Sequence, residues 1–302
     1  MHRGISNLAR LTAVPVLALA AASCSVAPPA APAQPTGDPG TSGGHTTATP
    51  SATATHTRQR SPFAGLAGYL AHRTGVVTAA VYDRRSGRTW IYHPGVRQNA
   101  ASIVKVEIMG AALHEAETAR RRLSVDEQAL IQAMIENSNN DAATAVLAKI
   151  GGPGALKRFD MLAGLAGTTP STLKYIPGTP LPGWGLTKTT ALDEVRLIKR
   201  FAYPNSLLSS RDREYGLNLM EHVESDQAWG ISGGVPTDAT IALKNGWLPL
   251  ANRGWQINSI GWVSGRGRDY VLAILSNRAP SYPYGVETVS AIARLVFAAL
   301  GR

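Results

Sequence analysis

The chain has 302 residues, 44% of them hydrophobic, and its 30 Lys and Arg against 20 Asp and Glu give a formal net charge of +10. This length can bury one sizeable core, or two subdomains that share a cleft, and the charge fits an acidic cell envelope or membrane surface. The positive residues are scattered, with one dense run at 119–124 and no nucleic-acid-binding motif, so we expect no nucleic-acid partner.

The first 24 residues have the pattern of a secretory signal peptide. Arg3 and Arg10 precede an apolar run that ends at Cys24 and is too short for a membrane-spanning helix. Cys24 is the only cysteine, and its position resembles the lipid-attachment site of bacterial lipoproteins; ordinary cleavage with loss of this cysteine is the alternative. Residues 25–60 are rich in Pro, Ala, Gly, Ser and Thr and predict a disordered linker. We therefore expect an exported protein, either a lipoprotein on the outer face of the cytoplasmic membrane or a secreted one.

The globular domain is expected to span residues 61–302. Its first segment, 61–75, starts with Ser-Pro, ends in Gly and predicts a helix. Two β-rich runs, 76–83 and 88–93, flank a turn and predict a β-hairpin. An apolar helix then begins near Ser102.

Helical patterns continue to about residue 230. One of these helices starts at a Ser-x-x-Glu capping box formed by Ser124 and Glu127. A Pro/Gly/Thr-rich loop, residues 166–190, interrupts the helical block.

The C-terminal part returns to strands and closes with a helix. The predicted strands are 239–247, 254–265 and 269–276, and the predicted helix is 284–301. We therefore predict a mixed α/β (α+β) fold, in which the N- and C-terminal strands form one antiparallel sheet flanked by helices. An all-helical subdomain is inserted beside the sheet, and a ligand site is expected in the cleft between them.

Ser102 and Lys105 begin the first long apolar helix and share one of its faces. A lysine that is desolvated there has a lowered pKa and can act as a base. A serine at a helix N-terminus lies where backbone N–H groups favour negative charge. Ser171 and Lys174 repeat the spacing within the loop and lack this setting. By itself the first pair is better explained as a helix N-cap with a lysine that reaches solvent.

Two further motifs follow in order, Ser138-Asn139-Asn140 at a helix end and Lys244-Asn245-Gly246 on a predicted strand. The order S-x-x-K, S-x-N and K-x-G resembles the signature of penicillin-recognising serine enzymes, and the flanking segments resemble class A β-lactamases in particular. The resemblance covers residues 61–302. It implies the class A β-lactamase fold and a reaction that passes through an acyl-serine, without a cofactor.

The resemblance also implies a role for each matching side chain. Ser102 would be the nucleophile, Lys105 would take its proton, and Ser138 would pass that proton to the leaving nitrogen. Asn140 would orient Lys105 and the substrate amide. Lys244 would bind the carboxylate of a β-lactam or of a peptidoglycan stem peptide.

The remaining implied contacts lie around the third motif. The backbone N–H groups of Ser102 and Trp247 would form the oxyanion hole. Asn245 and Gly246 would contact the substrate together with Lys244. Asn245 replaces the Thr or Ser of the family, and an amide can still donate a hydrogen bond to a carboxylate.

The sequence departs from the class A pattern in other places. Asn139 replaces Asp, and only 36 residues separate Ser102 from Ser138, which implies a smaller helical subdomain. Residues 160–190 contain no Glu, whereas a Glu in this loop activates the deacylating water of class A enzymes. The candidates for a substitute are interpreted as helix-surface charges: Glu136, Asp141, Asp193 and Glu194. We therefore predict slow hydrolysis of the acyl-enzyme.

Three functions stay open from the sequence. The first is a β-lactamase, and the second is a peptidoglycan D-Ala-D-Ala peptidase or penicillin-binding protein. The third is a non-catalytic envelope protein that retains the fold. The seven histidines lack the spacing of metal ligands, so no metal site is expected, and the protein is expected to be a monomer.

Overall fold

The computed structural model describes residues 60–250 and 253–301. The predicted signal peptide with Cys24, and the predicted linker up to residue 59, lie outside the described residues. The described strands are β1 (Val76–Asp83), β2 (Arg88–Tyr92), β3 (Gln98–Asn99), β4 (Lys188–Thr189), β5 (Thr240–Leu250), β6 (Gly254–Gly265) and β7 (Arg268–Ala279). The described helices are α1 (Leu66–Leu70), α2 (Val104–Thr118), α3 (Val125–Glu136), α4 (Asn140–Lys149), α5 (Gly152–Ala163), α6 (Ala191–Ala202), α7 (Ser210–Glu221) and α8 (Tyr282–Leu300).

Five strands form one antiparallel sheet in the order β2-β1-β7-β6-β5. The N-terminal hairpin joins the C-terminal strands through β1 and β7, where Ala79 is opposite Ile274. This arrangement confirms the predicted antiparallel sheet built from both ends of the chain. It leaves β5 as an edge strand, and the third sequence motif lies on it. A separate two-stranded ladder pairs β3 with β4.

Each face of the main sheet carries its own core. On one face, Leu66 of α1 and Val289 and Ile292 of α8 pack against sheet residues such as Leu272. On the other face, the helical block α2–α7 packs against residues such as Ala273. Because a strand alternates its side chains between faces, the neighbours Leu272 and Ala273 belong to different cores.

The helix boundaries follow local capping. Ser124 Oγ accepts from the Glu127 N–H at 3.2 Å, and the Glu127 carboxylate accepts from the Ser124 N–H at 2.8 Å, which confirms the capping box that starts α3. The predicted helix over 61–75 is shorter than expected, since only Leu66–Leu70 is helical. Gly65 and Gly68 lower the helix propensity of this segment, and Ser61 Oγ accepts from the Phe63 N–H in a local turn.

Candidate active site

Ser102 lies in a short 3₁₀ turn, Ala101–Ile103, which leads directly into α2. Its side chain is half-buried, whereas both neighbours are buried. Ala101 has φ 51°, a left-handed conformation that is unusual for alanine. Asn258 of β6 secures the preceding segment, because its Nδ2 donates to the carbonyls of Asn99 and Ala100 at 2.9 Å each.

Lys105 lies at the centre of the first two motifs and is 0% exposed. Its Nζ is 3.1 Å from Ser102 Oγ, 3.0 Å from Ser138 Oγ and 2.9 Å from Asn140 Oδ1. It also donates to the backbone carbonyl of Ser138. Burial, followed by the positive charge of Lys244, lowers the pKa of Lys105 to about 6. Its amine is therefore neutral at pH 7 and able to accept a proton.

The second motif forms the junction between α3 and α4. The helix α4 starts at Asn140, with Asn139 as the N-cap. Asn139 Oδ1 accepts from the Ala142 N–H at 2.8 Å, so an amide serves as the cap where the family has Asp. Ser138 has φ 55°, in the left-handed region. In this conformation its carbonyl oxygen and its Oγ both contact Lys105 Nζ.

Trp184 contacts the same lysine from the Pro/Gly/Thr loop. The centre of its ring is 5.0 Å from Lys105 Nζ, and its Nε1 donates to Thr144 Oγ1 of α4 at 3.1 Å. Gly183 allows this approach, since a Cβ there would lie 2.0 Å from the carbonyl oxygen of Leu173. Trp184 is also part of the apolar core, and its contact with the lysine was missed from the sequence. The flanking glycines of Gly-Trp-Gly were the available signal of a close approach.

Lys244 of β5 is fully buried beside this network. It is 0% exposed, and its Nζ makes no hydrogen bond to a described residue. Burial lowers its pKa to about 7, and the carboxylate of Glu224 opposes that shift. A buried amine without a partner is costly. An anionic ligand group would supply that partner.

Gly246 brings the edge strand against the nucleophile. A Cβ at this position would lie 2.7 Å from Ser102 N and 2.8 Å from Ile103 N, so only glycine fits here. The Ser102 N–H is thereby held beside the β5 segment that continues into Trp247. The Trp247 ring packs away from the motif against Tyr282, with 5.7 Å between ring centres.

Asn245 faces the opposite side of β5 from Lys244. Its Nδ2 donates to the carbonyls of Gln227 at 2.6 Å and of Trp229 at 3.0 Å, and its side chain is buried. Both amide hydrogens are therefore engaged with the chain itself. In this structure Asn245 fixes residues 227–229 to the strand, and a contact with substrate stays a prediction.

The four carboxylates considered as substitutes for the missing Glu lie elsewhere. Asp193 and Glu194 are only 1% and 2% exposed, so their interpretation as surface charges was wrong. Asp193 Oδ2 accepts from Gly167 N at 2.7 Å and from Thr168 Oγ1 at 3.1 Å, which stabilises the start of the loop. Within residues 60–250 and 253–301, no carboxylate hydrogen-bonds to Lys105.

Glu194 belongs to a buried acidic cluster beneath α2, together with Glu107 and Asp160. Burial raises the pKa of Glu194 to about 8 and that of Asp160 to about 6. Burial and the facing Asp160 also raise the pKa of Glu107 well above its usual range. Burial therefore favours the protonated, uncharged form of two of the three acids, Glu107 and Glu194.

Glu194→Gln is expected to stabilise the protein at alkaline pH. Folded Glu194 holds a proton up to about pH 8, whereas the unfolded residue releases it near 4.5, so stability falls as pH rises between these values. The slope is about 1.4 kcal/mol per pH unit for one proton. Thermal unfolding at pH 5 and pH 8.5 should therefore give a larger gain in Tm at pH 8.5. Exposed Glu115→Gln is the control, and equal gains for Glu194→Gln at both pH values would contradict the interpretation.

Comparison with known proteins identifies the family. Residues 123–300 match the sequence model of the Beta-lactamase enzyme family, a segment that contains Ser138, Asn140 and Lys244 and begins after Lys105. No curated protein matches the chain at a significant level.

Solved class A β-lactamases share the fold at low sequence identity. A class A β-lactamase from Mycobacterium abscessus is 21% identical with a TM-score of 0.68, and the alignment covers 80% of this chain and 100% of that one. An ancestral class A β-lactamase is 20% identical with a TM-score of 0.67, over 79% and 100% of the two chains. One from Bacteroides cellulosilyticus is 16% identical with a TM-score of 0.69, over 80% and 99%. The chain belongs to the β-lactamase enzyme family and has the class A β-lactamase fold.

Proposed function

We propose that the protein is a serine acyl hydrolase that forms an acyl-enzyme on Ser102 with a β-lactam or a D-Ala-D-Ala-like amide. One observation carries the proposal: the buried amine of Lys105 contacts Ser102 Oγ, Ser138 Oγ and Asn140 Oδ1 at about hydrogen-bond length, 2.9–3.1 Å. An amine with a pKa near 6 is a proton acceptor at neutral pH. A binding scaffold has no need of this arrangement, which disfavours the non-catalytic alternative.

Acylation follows from these contacts. Lys105 takes the proton of Ser102 as Oγ attacks the carbonyl carbon of the substrate. The backbone N–H groups of Ser102 and Trp247 stabilise the negative oxygen that develops. Ser138 then delivers a proton to the leaving nitrogen, the C–N bond breaks, and an ester on Ser102 remains. The unpaired Lys244 receives the substrate carboxylate.

Hydrolysis of that ester is the slow step in this proposal. Water must lose a proton as it attacks the acyl carbon, and the described residues place no carboxylate against Lys105 to accept it. The Trp184 ring covers one side of the lysine. These observations favour a penicillin-binding peptidase with a long-lived β-lactam adduct as the second candidate, beside a β-lactamase with an unusual deacylation step.

We also propose where in the cell the protein acts. The signal-peptide pattern and Cys24 support an exported protein, held at the outer face of the membrane by a lipid or else secreted. Peptidoglycan stem peptides are available there as substrates.

Intact-protein mass spectrometry after addition of a penicillin tests the proposal. We expect a covalent adduct of one penicillin that persists for hours and is absent from Ser102→Ala. Ser171→Ala, in the second S-x-x-K sequence, is the matched control and should acylate like the parent protein. Absence of an adduct from the parent protein, or an undiminished adduct on Ser102→Ala, would overturn the assignment.

A further inference from the structure

A second cavity of about 680 Å³ lies between the Pro/Gly/Thr loop and the C-terminal end of β5. None of the catalytic candidates Ser102, Lys105, Ser138, Asn140 and Lys244 lines it. A small apolar cluster joins Ala101 of the nucleophile turn to Ile176, which lines the cavity, and to Leu248. The volume of the cavity is within the range of small-molecule binding sites.

The floor of the cavity is built from three adjacent chain segments. Asn99 of β3 is paired with Lys188 of β4, and Thr169 pairs with Lys188 on the other side. Residues that are opposite one another in neighbouring strands point to the same face. All three residues accordingly line the cavity.

Three positively charged side chains, Lys188, Arg97 and Arg253, lie close enough at this floor to repel one another. Burial lowers the pKa of Lys188, and the guanidinium groups of Arg97 and Arg253 lower it further. Arg253 also lines the cavity, and Arg97 donates to Thr169 Oγ1. Five arginines elsewhere in the described residues form ion pairs with carboxylates, whereas these three cations form none. Among the residues that the structure describes, no Asp or Glu lines the cavity.

Asn99 adds a neutral polar group that lacks a partner. Its side chain is 8% exposed, and its Oδ1 is buried without a hydrogen bond to a described residue. The cavity also has an apolar lining that includes Leu173, Ile176 and Leu250. A ligand that satisfies this lining carries an anionic group at one end and an apolar body at the other.

We propose that this cavity binds a small organic anion, a carboxylate or a phosphate ester, separately from the catalytic centre. Lys188 and Arg253 neutralise its charge, and the side-chain N–H group of Asn99 donates a hydrogen bond to it. Binding relieves the mutual repulsion of the cations. The proposal does not depend on catalysis at Ser102.

Isothermal titration at low salt with four probes tests the site. Benzoate and phenyl phosphate carry the two anionic groups on one apolar body, benzyl alcohol is the neutral analogue, and inorganic phosphate lacks the body. We expect one of the two aromatic anions to bind at least tenfold more tightly than benzyl alcohol and than inorganic phosphate. The tighter of the two shows whether the cavity prefers a carboxylate or a phosphate ester.

Single substitutions test whether the anion binds in this cavity. Lys188→Gln and Arg253→Gln should each weaken the favoured anion about tenfold, and Lys149→Gln, which removes the same charge from an exposed helix end, should change it less than twofold. Affinity that is insensitive to Lys188→Gln and Arg253→Gln would locate the anion elsewhere, for example at Lys244, and would overturn the proposal. Equal affinity for benzyl alcohol, or no binding of either aromatic anion at millimolar concentration, would overturn it as well.

Discussion

Lys105→Met is expected to slow acylation of Ser102 by about 10²–10⁴-fold, the usual contribution of a general base. Methionine fills a similar volume and has no basic nitrogen. The remaining rate should come from binding and from the backbone N–H groups of the oxyanion hole. The measurement is the rate of penicillin adduct formation by intact-protein mass spectrometry. Lys174→Met, in the second S-x-x-K sequence, is the matched control and should leave the rate unchanged.

The same rate should depend on pH with a defined sign. Only the neutral amine accepts the serine proton, so acylation should rise about tenfold per pH unit below 6 and level off above it. Bound substrate carboxylate shifts the midpoint upward, because a negative charge favours the protonated amine. A rate that stays flat between pH 4.5 and pH 8, or a Lys105→Met protein that acylates normally, would exclude Lys105 as the base.

Trp184→Ala is expected to shorten the lifetime of the penicillin adduct at least tenfold, about 1.4 kcal/mol in activation free energy. Removing the indole opens a water-sized space beside Lys105, whose neutral amine can then assist attack of water on the ester. Hydration of the lysine should also raise its pKa, so the midpoint of the acylation profile should move upward. Both changes are measured from the adduct, its decay at pH 7.5 and its formation rate against pH.

Two other variants separate this effect from general damage to the fold. Trp184→Phe keeps an aromatic face and loses the bond to Thr144 Oγ1, so an intermediate lifetime is expected. Trp90→Ala, on the distant strand β2, should leave the lifetime unchanged. If Trp184→Ala folds and its adduct decays at the parent rate, the indole has no part in the slow hydrolysis.

Periodicity and turn residues were sufficient for most of the architecture. The hairpin β1–β2, the capping box of α3 and the long C-terminal strands each depend on local residues, and all of them are present. The segment 61–75 was the exception, because apolar spacing alone gave no weight to Gly65 and Gly68.

Some residues of the site were predicted from the sequence and Trp184 was missed, for a physical reason. Ser102, Lys105, Ser138 and Asn140 lie on α2 and at the α3–α4 junction, which are regular elements recognisable from local sequence, and there they form a network. Trp184 lies in a loop without periodicity, and no local pattern specifies where such a loop passes.

The buried acids were missed because a charged residue on a helix is by default assigned to solvent. Asp193 is satisfied by Gly167 N–H and Thr168 Oγ1, and Glu194 keeps its proton. Neither the hydrogen bonds of Asp193 nor the retained proton of Glu194 can be recognised from the spacing of residues in the sequence.

The position of β5 at the sheet edge has a consequence for what the protein recognises. No described strand pairs with its outer edge, and Gly246 places it beside Ser102. An extended peptide would enter by strand addition, as a sixth strand joined through main-chain hydrogen bonds. Such bonds do not distinguish one side chain from another, so selection would fall on the terminal carboxylate at Lys244 and on the shape of the backbone. A broad tolerance of side chains, with a strict requirement for a free carboxyl end, is the pattern of selectivity that this edge favours.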